Sequence, residues 1–404
     1  VQKFSISVSD DNENFTQIYA NDKIEFHRLC TFDTVKARYV KLTVEKSDNL
    51  PKIREMEIYN AVPEKKNDFR VSTYSTLGGS VFGIIDDTTL SDAEKDAKIK
   101  ELIDADYYDT VTDYIDIGNV RWDEEGIIHT DGWDGIERDE DKYYAVMMRN
   151  LHEVLDEKGV NLVITILNPS GENGNQRVMK SITENRDTLI TNMIAFANKY
   201  EFDGIDLDWE FPLSQDEFDA YNSFLQELKA RMKTEMWNKE DATLSLALAT
   251  WALKYTPETI ECIDYVNVMG YDILDQDGQH SSFFSSCVQA ADYIEIQGFS
   301  KEQINIGFPF YGTWEGGRME QYAYNAISEE ISPFNNFYTM KKSDTKEDRY
   351  TYFNSQAIIR DKTAYAYLKG YGGVMIFSQY CDLPSDDERS LTKAISDYLQ
   401  EVTK

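Results

Sequence analysis

Hydrophobic and polar positions alternate with period two along the first sixty residues. The clearest stretches are Phe4-Ser5-Ile6-Ser7-Val8, Tyr39-Val40-Lys41-Leu42-Thr43-Val44 and Ile53-Arg54-Glu55-Met56-Glu57-Ile58-Tyr59, parted by turn clusters such as Ser9-Asp10-Asp11-Asn12. Alternation of this kind puts successive side chains on opposite faces of a strand, so the segment reads as all-β. Pro63 and the charged residues that follow it mark a linker at residues 62–68.

Beyond the linker the period changes. Short apolar runs at residues 161–167, 204–209, 243–248, 266–269, 304–308 and 373–377 alternate with amphipathic stretches at 186–200, 215–234 and 388–402. Residues 114–120 add a strand, and residues 71–75 and 81–85 both qualify as the first one. Strand–helix alternation repeated this often predicts an α/β fold with a parallel sheet, and the count fits a closed (β/α)8, or TIM, barrel better than an open sheet. The expected organisation is therefore a small N-terminal β-segment, a partial β-sandwich, at residues 1–61, the linker, and a barrel at residues 69–404. No glycine-rich phosphate loop follows any strand, which argues against a nucleotide-binding sheet.

Composition narrows the partners. The 404 residues carry 73 Asp and Glu against 41 Lys and Arg, a formal net charge of −32. Such a chain is repelled by polyanions, so no nucleic acid is expected as a partner. Hydrophobic residues at 41% supply a large core, so the charge does not signal disorder. Twenty-six Tyr and six Trp suit a neutral, polyhydroxylated ligand. Cys30, Cys262, Cys287 and Cys381 lack C-x-x-C spacing and read as buried thiols, with a Cys262–Cys287 pairing left open. His27, His129, His152 and His280 are too dispersed for a metal cluster, so neither metal nor cofactor is expected. No run approaches the ~18 apolar residues of a membrane span, so no membrane insertion is expected. Val1 falls inside a strand pattern, which reads as a chain cut from a longer precursor.

The most informative stretch is Phe202-Asp203-Gly204-Ile205-Asp206-Leu207-Asp208-Trp209-Glu210-Phe211. On a strand, Asp206, Asp208 and Glu210 share one face, neighbours roughly 6–7 Å apart, and Ile205, Leu207 and Trp209 share the other. The outer face of a barrel packs on helices, which sends the three carboxylates inward. Repulsion and desolvation then keep at least one of them protonated near neutral pH. Glu210 comes last, at the C-terminal mouth where barrel active sites form. A solvated acidic edge strand and a hard-cation site are the alternatives. The large apolar residues interleaved with the acids disfavour the first, and the rigidity of one strand disfavours the second. The chemistry favoured is general acid catalysis.

Asp203-Gly204-Ile205-Asp206-Leu207-Asp208-Trp209-Glu210 resembles the D-x-x-D-x-D-x-E signature of glycoside hydrolase family 18, the chitinases and their relatives. Val266-Asn267-Val268-Met269-Gly270-Tyr271-Asp272 is similar to the family's M-x-Y-D stretch, Gly307-Phe308-Pro309-Phe310-Tyr311-Gly312 to its strand-seven motif, and Gly372-Gly373-Val374-Met375-Ile376-Phe377 to the end of strand eight. The resemblance covers roughly residues 69–402. It implies a secreted, endo-acting and monomeric hydrolase of β-1,4-linked N-acetylglucosamine glycans, working by substrate assistance. Glu210 would be the acid, Asp208 would hold the acetamido N–H, and Asp206 would share a proton with Asp208. Tyr271 would donate to the acetamido oxygen, and Asp272 would hold the sugar. Met269, Tyr311, Phe377, Trp251 and Trp314, with Trp133, would line the bound glycan. Asp203 is out of phase with the acids and is expected to bond backbone at a helix–strand junction.

Three positions depart from the family pattern. Phe377 stands where a Trp is usual, Thr165-Ile166-Leu167-Asn168 where S-x-G-G is usual, and Thr313 where an Arg commonly follows Tyr-Gly. The segment between Trp314 and Tyr350 is short for the family's full α+β insertion, which predicts an open cleft. An endo-β-N-acetylglucosaminidase acting on the N-glycan core, and a catalytically silent lectin, are the alternatives. The first sixty residues resemble the second half of a factor V/VIII type C (discoidin) module, the fold of family 32 carbohydrate-binding modules. Ser5 to Asp11, Ala37 to Leu42 and Ile53 to Tyr59 carry that likeness, and it implies a docked remnant with impaired or no sugar binding.

Overall fold

The computed structural model describes residues 1–22, 24, 28, 30, 32–53, 56, 58, 68–104, 109–131, 135–136, 138–273, 284–314, 321–326, 337–341, 348–384 and 386–402. Trp133, the linker up to residue 67, several residues of the 53–59 strand pattern and the side chain of Trp314 lie outside the described residues.

Three N-terminal strands, β1 (Lys3–Ser9), β2 (Thr16–Asp22) and β3 (Tyr39–Lys46), form an antiparallel sheet in the order β2-β1-β3. The turn out of β1 is fixed by Asp11, whose Oδ1 accepts from the backbone N–H of Glu13 at 2.9 Å and of Asn14 at 2.8 Å.

The barrel begins at β4 (Arg70–Ser75) and continues through β5 (Asp113–Trp122), the short hairpin strand β6 (Ile128–His129), β7 (Asn161–Leu167), β8 (Gly204–Leu207), β9 (Thr243–Leu248), β10 (Tyr265–Val268) and β11 (Ile304–Pro309). After β11 come β12 (Tyr311–Trp314), β13 (Gln321–Ala323), β14 (Phe337–Lys341) and β15 (Asp348–Tyr352), an antiparallel sheet of their own in the order β13-β12-β15-β14. The last barrel strand, β16 (Gly373–Phe377), pairs in parallel with both β11 and β4. Parallel pairing of β4 with β5 closes the ring, giving an eight-stranded TIM barrel. The helices are α1 (Gly78–Asp86), α2 (Asp92–Asp104), α3 (Tyr144–Lys158), α4 (Gly174–Thr183), α5 (Arg186–Lys199), α6 (Gln215–Glu235), α7 (Pro257–Cys262), α8 (Phe284–Ile296), α9 (Gln356–Lys369) and α10 (Leu391–Val402).

Of the two candidates for the first strand, residues 71–75 fall in β4, whereas residues 81–85 fall in α1, with Val81, Phe82 and Ile85 buried against the core. The acidic strand is shorter than its alternation suggests. Its pairing with β9 stops at Leu207, so Asp208 and Glu210 extend from the barrel rim rather than from the ladder. All four cysteines are free, and Cys262 and Cys287 do not pair.

Helix α6 shows how sequence positions the rim. Ser214 caps it by accepting from the Glu217 N–H, and the Glu217 carboxylate returns to the Ser214 N–H, a reciprocal capping box. Phe218, Tyr221, Leu225, Leu228 and Met232 recur at three- and four-residue spacing and are buried. Truncating one of them, Leu228→Ala for example, would cost about 2–5 kcal/mol. These residues belong to the large apolar shell between strands and helices. A second, small cluster of Tyr74, Ile115, Ile117, Val163 and Met375 fills part of the barrel interior, with Tyr271 and Phe377 packed on it.

Candidate active site

Asp206 is fully buried inside the barrel. The ladder sets Thr165 of β7 and Ser245 of β9 directly beside it in register. Their hydroxyls donate to it, Thr165 Oγ1 to Oδ2 at 2.8 Å and Ser245 Oγ to Oδ1 at 2.6 Å. Tyr74 reaches across from β4 and donates to Oδ2 at 3.0 Å. Burial pushes the Asp206 carboxyl up, and these three donors oppose it.

Asp208 and Glu210 lie close enough to share a hydrogen bond, which raises the Asp208 carboxyl and lowers that of Glu210. Burial drives the Asp208 carboxyl well above the usual carboxylate range, and the charges of Glu210 and Asp206 add to the effect. Its Oδ1 is buried without a hydrogen-bond partner among the described residues. Glu210 is exposed as a residue at the mouth. Its carboxyl is nonetheless raised by desolvation, opposed by the bond with Asp208 and reinforced by the charge of Asp272.

Asp203 accepts from the Leu162 backbone N–H at 2.8 Å, tying the start of β8 to β7. Asp272 adopts φ 56°, a conformation that short polar residues tolerate, and accepts from the Tyr311 hydroxyl at 2.9 Å. Burial, then the charges of Asp208, Asp272 and Glu210, push the Tyr271 hydroxyl well above its ordinary range. The Tyr271 ring stacks on Phe377, centroids 5.9 Å apart at 19°, and Tyr311 meets both edge-on at 6.2 and 6.3 Å. Room for Tyr271 comes from Gly307, where a Cβ would stand 3.0 Å from its Cε1.

The structure thus gathers Asp206, Asp208, Glu210, Tyr271, Asp272, Tyr311 and Phe377 at one mouth. Met269 is half-buried, its N–H bonded to the Leu248 carbonyl at 2.9 Å. Trp251 is 46% exposed and meets Phe211 edge-on at 4.9 Å, beside Pro212 and Leu253.

Four positioning residues escape a reading of single segments. Tyr74, Thr165 and Ser245 hold Asp206. Asn175, in the first turn of α4, holds the loop that carries Glu210. Its Nδ2 donates to the Phe211 carbonyl at 3.0 Å and to Glu217 Oε1 at 3.1 Å, while its Oδ1 accepts from Trp209 Nε1 at 3.0 Å. Inward alternation on the flanking strands was the available signal for Thr165 and Ser245; Asn175 had none. Among the described residues no group of three or more His, Cys, Asp and Glu is arranged to hold a metal ion, and no helix is long and apolar enough to cross a membrane.

The model of glycosyl hydrolases family 18 matches residues 139–382. A class V chitinase of Arabidopsis thaliana is 26% identical over 196 residues, covering 42% of this chain and 52% of its own length. The killer toxin subunits alpha/beta of Kluyveromyces lactis are 38% identical over 104 residues, 22% of this chain and 9% of that protein. The chain therefore spans about half or less of these relatives. A chitinase crystal structure from Bacteroides thetaiotaomicron superposes with a TM-score of 0.61 over 82% of this chain and 97% of that one, and at 19% identity it shows the shared fold.

Proposed function

The chain belongs to glycosyl hydrolases family 18, and on that premise we propose that it cleaves β-1,4 bonds of N-acetylglucosamine-containing glycans, chitin oligosaccharides in the first instance. The reading rests on one observation above the others: a carboxylate column whose inner member is held by three hydroxyls and whose outer two share a hydrogen bond at the mouth.

In this reading Glu210, its carboxyl raised by desolvation and by the charge of Asp272, donates its proton to the glycosidic oxygen. The C1–O bond breaks, and the carbonyl oxygen of the substrate's own 2-acetamido group bonds to C1, giving an oxazolinium ion. Asp208, turning toward the substrate, accepts the acetamido N–H with its carboxylate and stabilises the cationic ring. Water then attacks C1, the C1–O bond to the acetamido oxygen breaks and restores the acetamido group, and the water yields its proton to Glu210, so configuration is retained. Tyr271 supplies the hydroxyl for the acetamido oxygen, Asp272 and Tyr311 hold the sugar at the rim, and Phe377 and Trp251 offer ring faces. Endo-action and a secreted, monomeric state go with this reading. We take the N-terminal sheet to be a docked discoidin-like remnant.

The test is direct. Chitopentaose, a fluorogenic chitobioside and an N-glycosylated protein are each incubated with the chain, and early products are followed by mass spectrometry and anomeric NMR. β-Anomeric chitobiose or chitotriose is the expected first product. Cleavage of the glycoprotein alone would move the substrate to the N-glycan core. Binding without cleavage of any of the three would mean a lectin and would end the hydrolase reading.

A further inference from the structure

Asp206 is connected to the far end of the barrel. Arg70 opens β4, at the end opposite the carboxylate mouth, and its Nε donates to Asn305 Oδ1 of β11 at 3.2 Å. Asn305 Nδ2 donates in turn to Asn267 Oδ1 of β10 and to Ser72 Oγ, each at 3.1 Å. Asn267 Nδ2 donates to the Tyr74 hydroxyl at 3.2 Å, and Tyr74 donates to Asp206 at 3.0 Å. Ser72, Asn267, Asn305 and Asp206 are completely buried, so no water competes for these groups.

The direction of the chain follows from its first member. A guanidinium has donors and no acceptor. Arg70 therefore obliges Asn305 to present oxygen to it and nitrogen to Asn267. Asn267 must then present oxygen to Asn305 and nitrogen to Tyr74. Asn267 thus offers Tyr74 a donor and no acceptor, and the Tyr74 proton goes to Asp206. Every amide orientation is settled by a cation that cannot reverse its role.

The fold keeps a passage for that cation. Arg70, Gly373 and Asn305 lie side by side in register across β4, β16 and β11. A Cβ on Gly373 would stand 2.7 Å from Arg70 Cβ and 2.8 Å from Asn305 Oδ1, and one on Gly372 would overlap the guanidinium itself. The guanidinium also donates to the Glu302 carbonyl and lies 4.8 Å from the Tyr265 ring centroid.

We propose that Arg70 is a positioning residue of the active site: through Asn305 and Asn267 it commits the Tyr74 proton to Asp206, holding Asp206 as an ionised acceptor so that the exchangeable proton resides on Asp208 and Glu210. The kinetic consequence rests on the hydrolase reading; the structural one does not. The titratable groups near enough to feel the charge of Asp206 are Tyr74 from β4, Tyr265 from β10, Tyr221 from α6 and Asp208 beyond β8, and Asp113 of β5 feels that of Arg70.

Arg70→Met and Asn305→Leu each release the relay and let Asn267 reverse, so Tyr74 no longer has to donate to Asp206. Losing a hydrogen bond to a charged group raises that group's pKa by about one unit. The acid limb of kcat/KM on a chitooligosaccharide should move up by about one pH unit in both variants, while Arg70→Lys, still a donor-only cation but without the guanidinium's second contact and ring stacking, moves it less. A uniform loss of activity at every pH, with no shift of the limb, would overturn the proposal.

Unfolding in urea supplies an activity-free readout. Burial already places the folded Asp206 pKa above its unfolded value, so stability falls as pH rises from about 4 through the folded pKa. In the variants that fall must extend about one pH unit higher, so the stability gap to wild type widens over that window; a gap independent of pH also overturns the relay. If Arg70→Met does not fold, Asn305→Leu and Asn305→Asp carry the same expectation. If wild type cleaves no glycan, the hydrolase reading fails, and the unfolding comparison still decides the relay.

Discussion

Replacing Glu210 with glutamine tests the column where it meets substrate. The substitution keeps shape and removes one ionisable group. In the wild-type site the Glu210 charge is, after burial, the largest cause of the raised Asp208 carboxyl. Two charges at hydrogen-bonding separation, about 3 Å, repel by about 5 kcal/mol at an effective dielectric constant of ~20. Solvent at the exposed mouth screens much of this, leaving about 1 kcal/mol. In Glu210→Gln that repulsion is gone, and the amide can donate to an ionised Asp208, so the Asp208 pKa falls toward the ordinary range.

The sign of the stability effect follows. A carboxyl whose folded pKa lies above its unfolded value loses stability as pH rises from about 4 through the folded pKa. The variant loses less, so it should match wild type near pH 4 and exceed it by about 1 kcal/mol at neutral pH and above. Activity should move the other way, with kcat on a fluorogenic chitobioside reduced by about 10²–10⁴-fold for want of a general acid. Urea unfolding at several pH values and Michaelis–Menten kinetics give the two readouts. A kcat within a few-fold of wild type would refute the assignment of the acid, and a stability difference that does not change with pH would refute the coupling.

Two further outcomes concern the walls of the site. Asn175→Ala removes three hydrogen bonds from the loop bearing Glu210 and leaves Trp209 Nε1 without its acceptor; stability should drop by about 1–3 kcal/mol, and kcat by about tenfold with little change in KM as the acid loses its alignment. Trp251→Ala removes a half-exposed ring, so the melting temperature should barely move, while KM for chitohexaose rises about 3- to 10-fold, corresponding to about 0.5–1.5 kcal/mol of lost stacking. An unchanged KM would make Trp251 a packing partner of Phe211 and nothing more.

Much of the barrel was legible because its signals are local. A buried parallel strand is a short apolar run, an amphipathic helix repeats every three to four residues, and both survive in a single segment. The acids were legible for the same reason, lying within eight residues of one another. The first strand was ambiguous because Val81 to Ile85 is as apolar as a strand, yet it pairs with nothing and buries one face of α1. The groups that hold Asp206 were illegible as a set. Tyr74 is 132 residues away in sequence, Thr165 is 41 and Ser245 is 39, and only the barrel register brings them together. Asn175 was hidden in another way, since an asparagine in the first turn of a helix is ordinary until the loop it grips is in place.

A perturbed carboxyl does not by itself make an acid catalyst, and Asp116 provides the contrast. It lies in β5 just before Gly118, where the ladder with β7 shifts register, and burial pushes its carboxyl up to about 7. Its bonds are to Tyr144 Oη of α3 at 2.8 Å and to Asn119 Nδ2 at 2.7 Å, so it faces the helical layer and not the mouth. The difference from an unfolded value near 3.9 is about three pH units, or about 4 kcal/mol. Because the folded value is the higher, that stability is present below about pH 4 and lost as pH rises through 7. Asp116→Asn removes the titration, so measured against wild type the variant should gain up to about 4 kcal/mol between pH 4 and pH 8. Tyr144 can turn its hydroxyl to suit the amide. The pH profile of glycan hydrolysis should stay as in wild type, because none of the groups touching Asp116 touches the column. A shifted profile in Asp116→Asn would show that the helical layer titrates with the active site, and the proton would then belong to a larger set than Asp208 and Glu210.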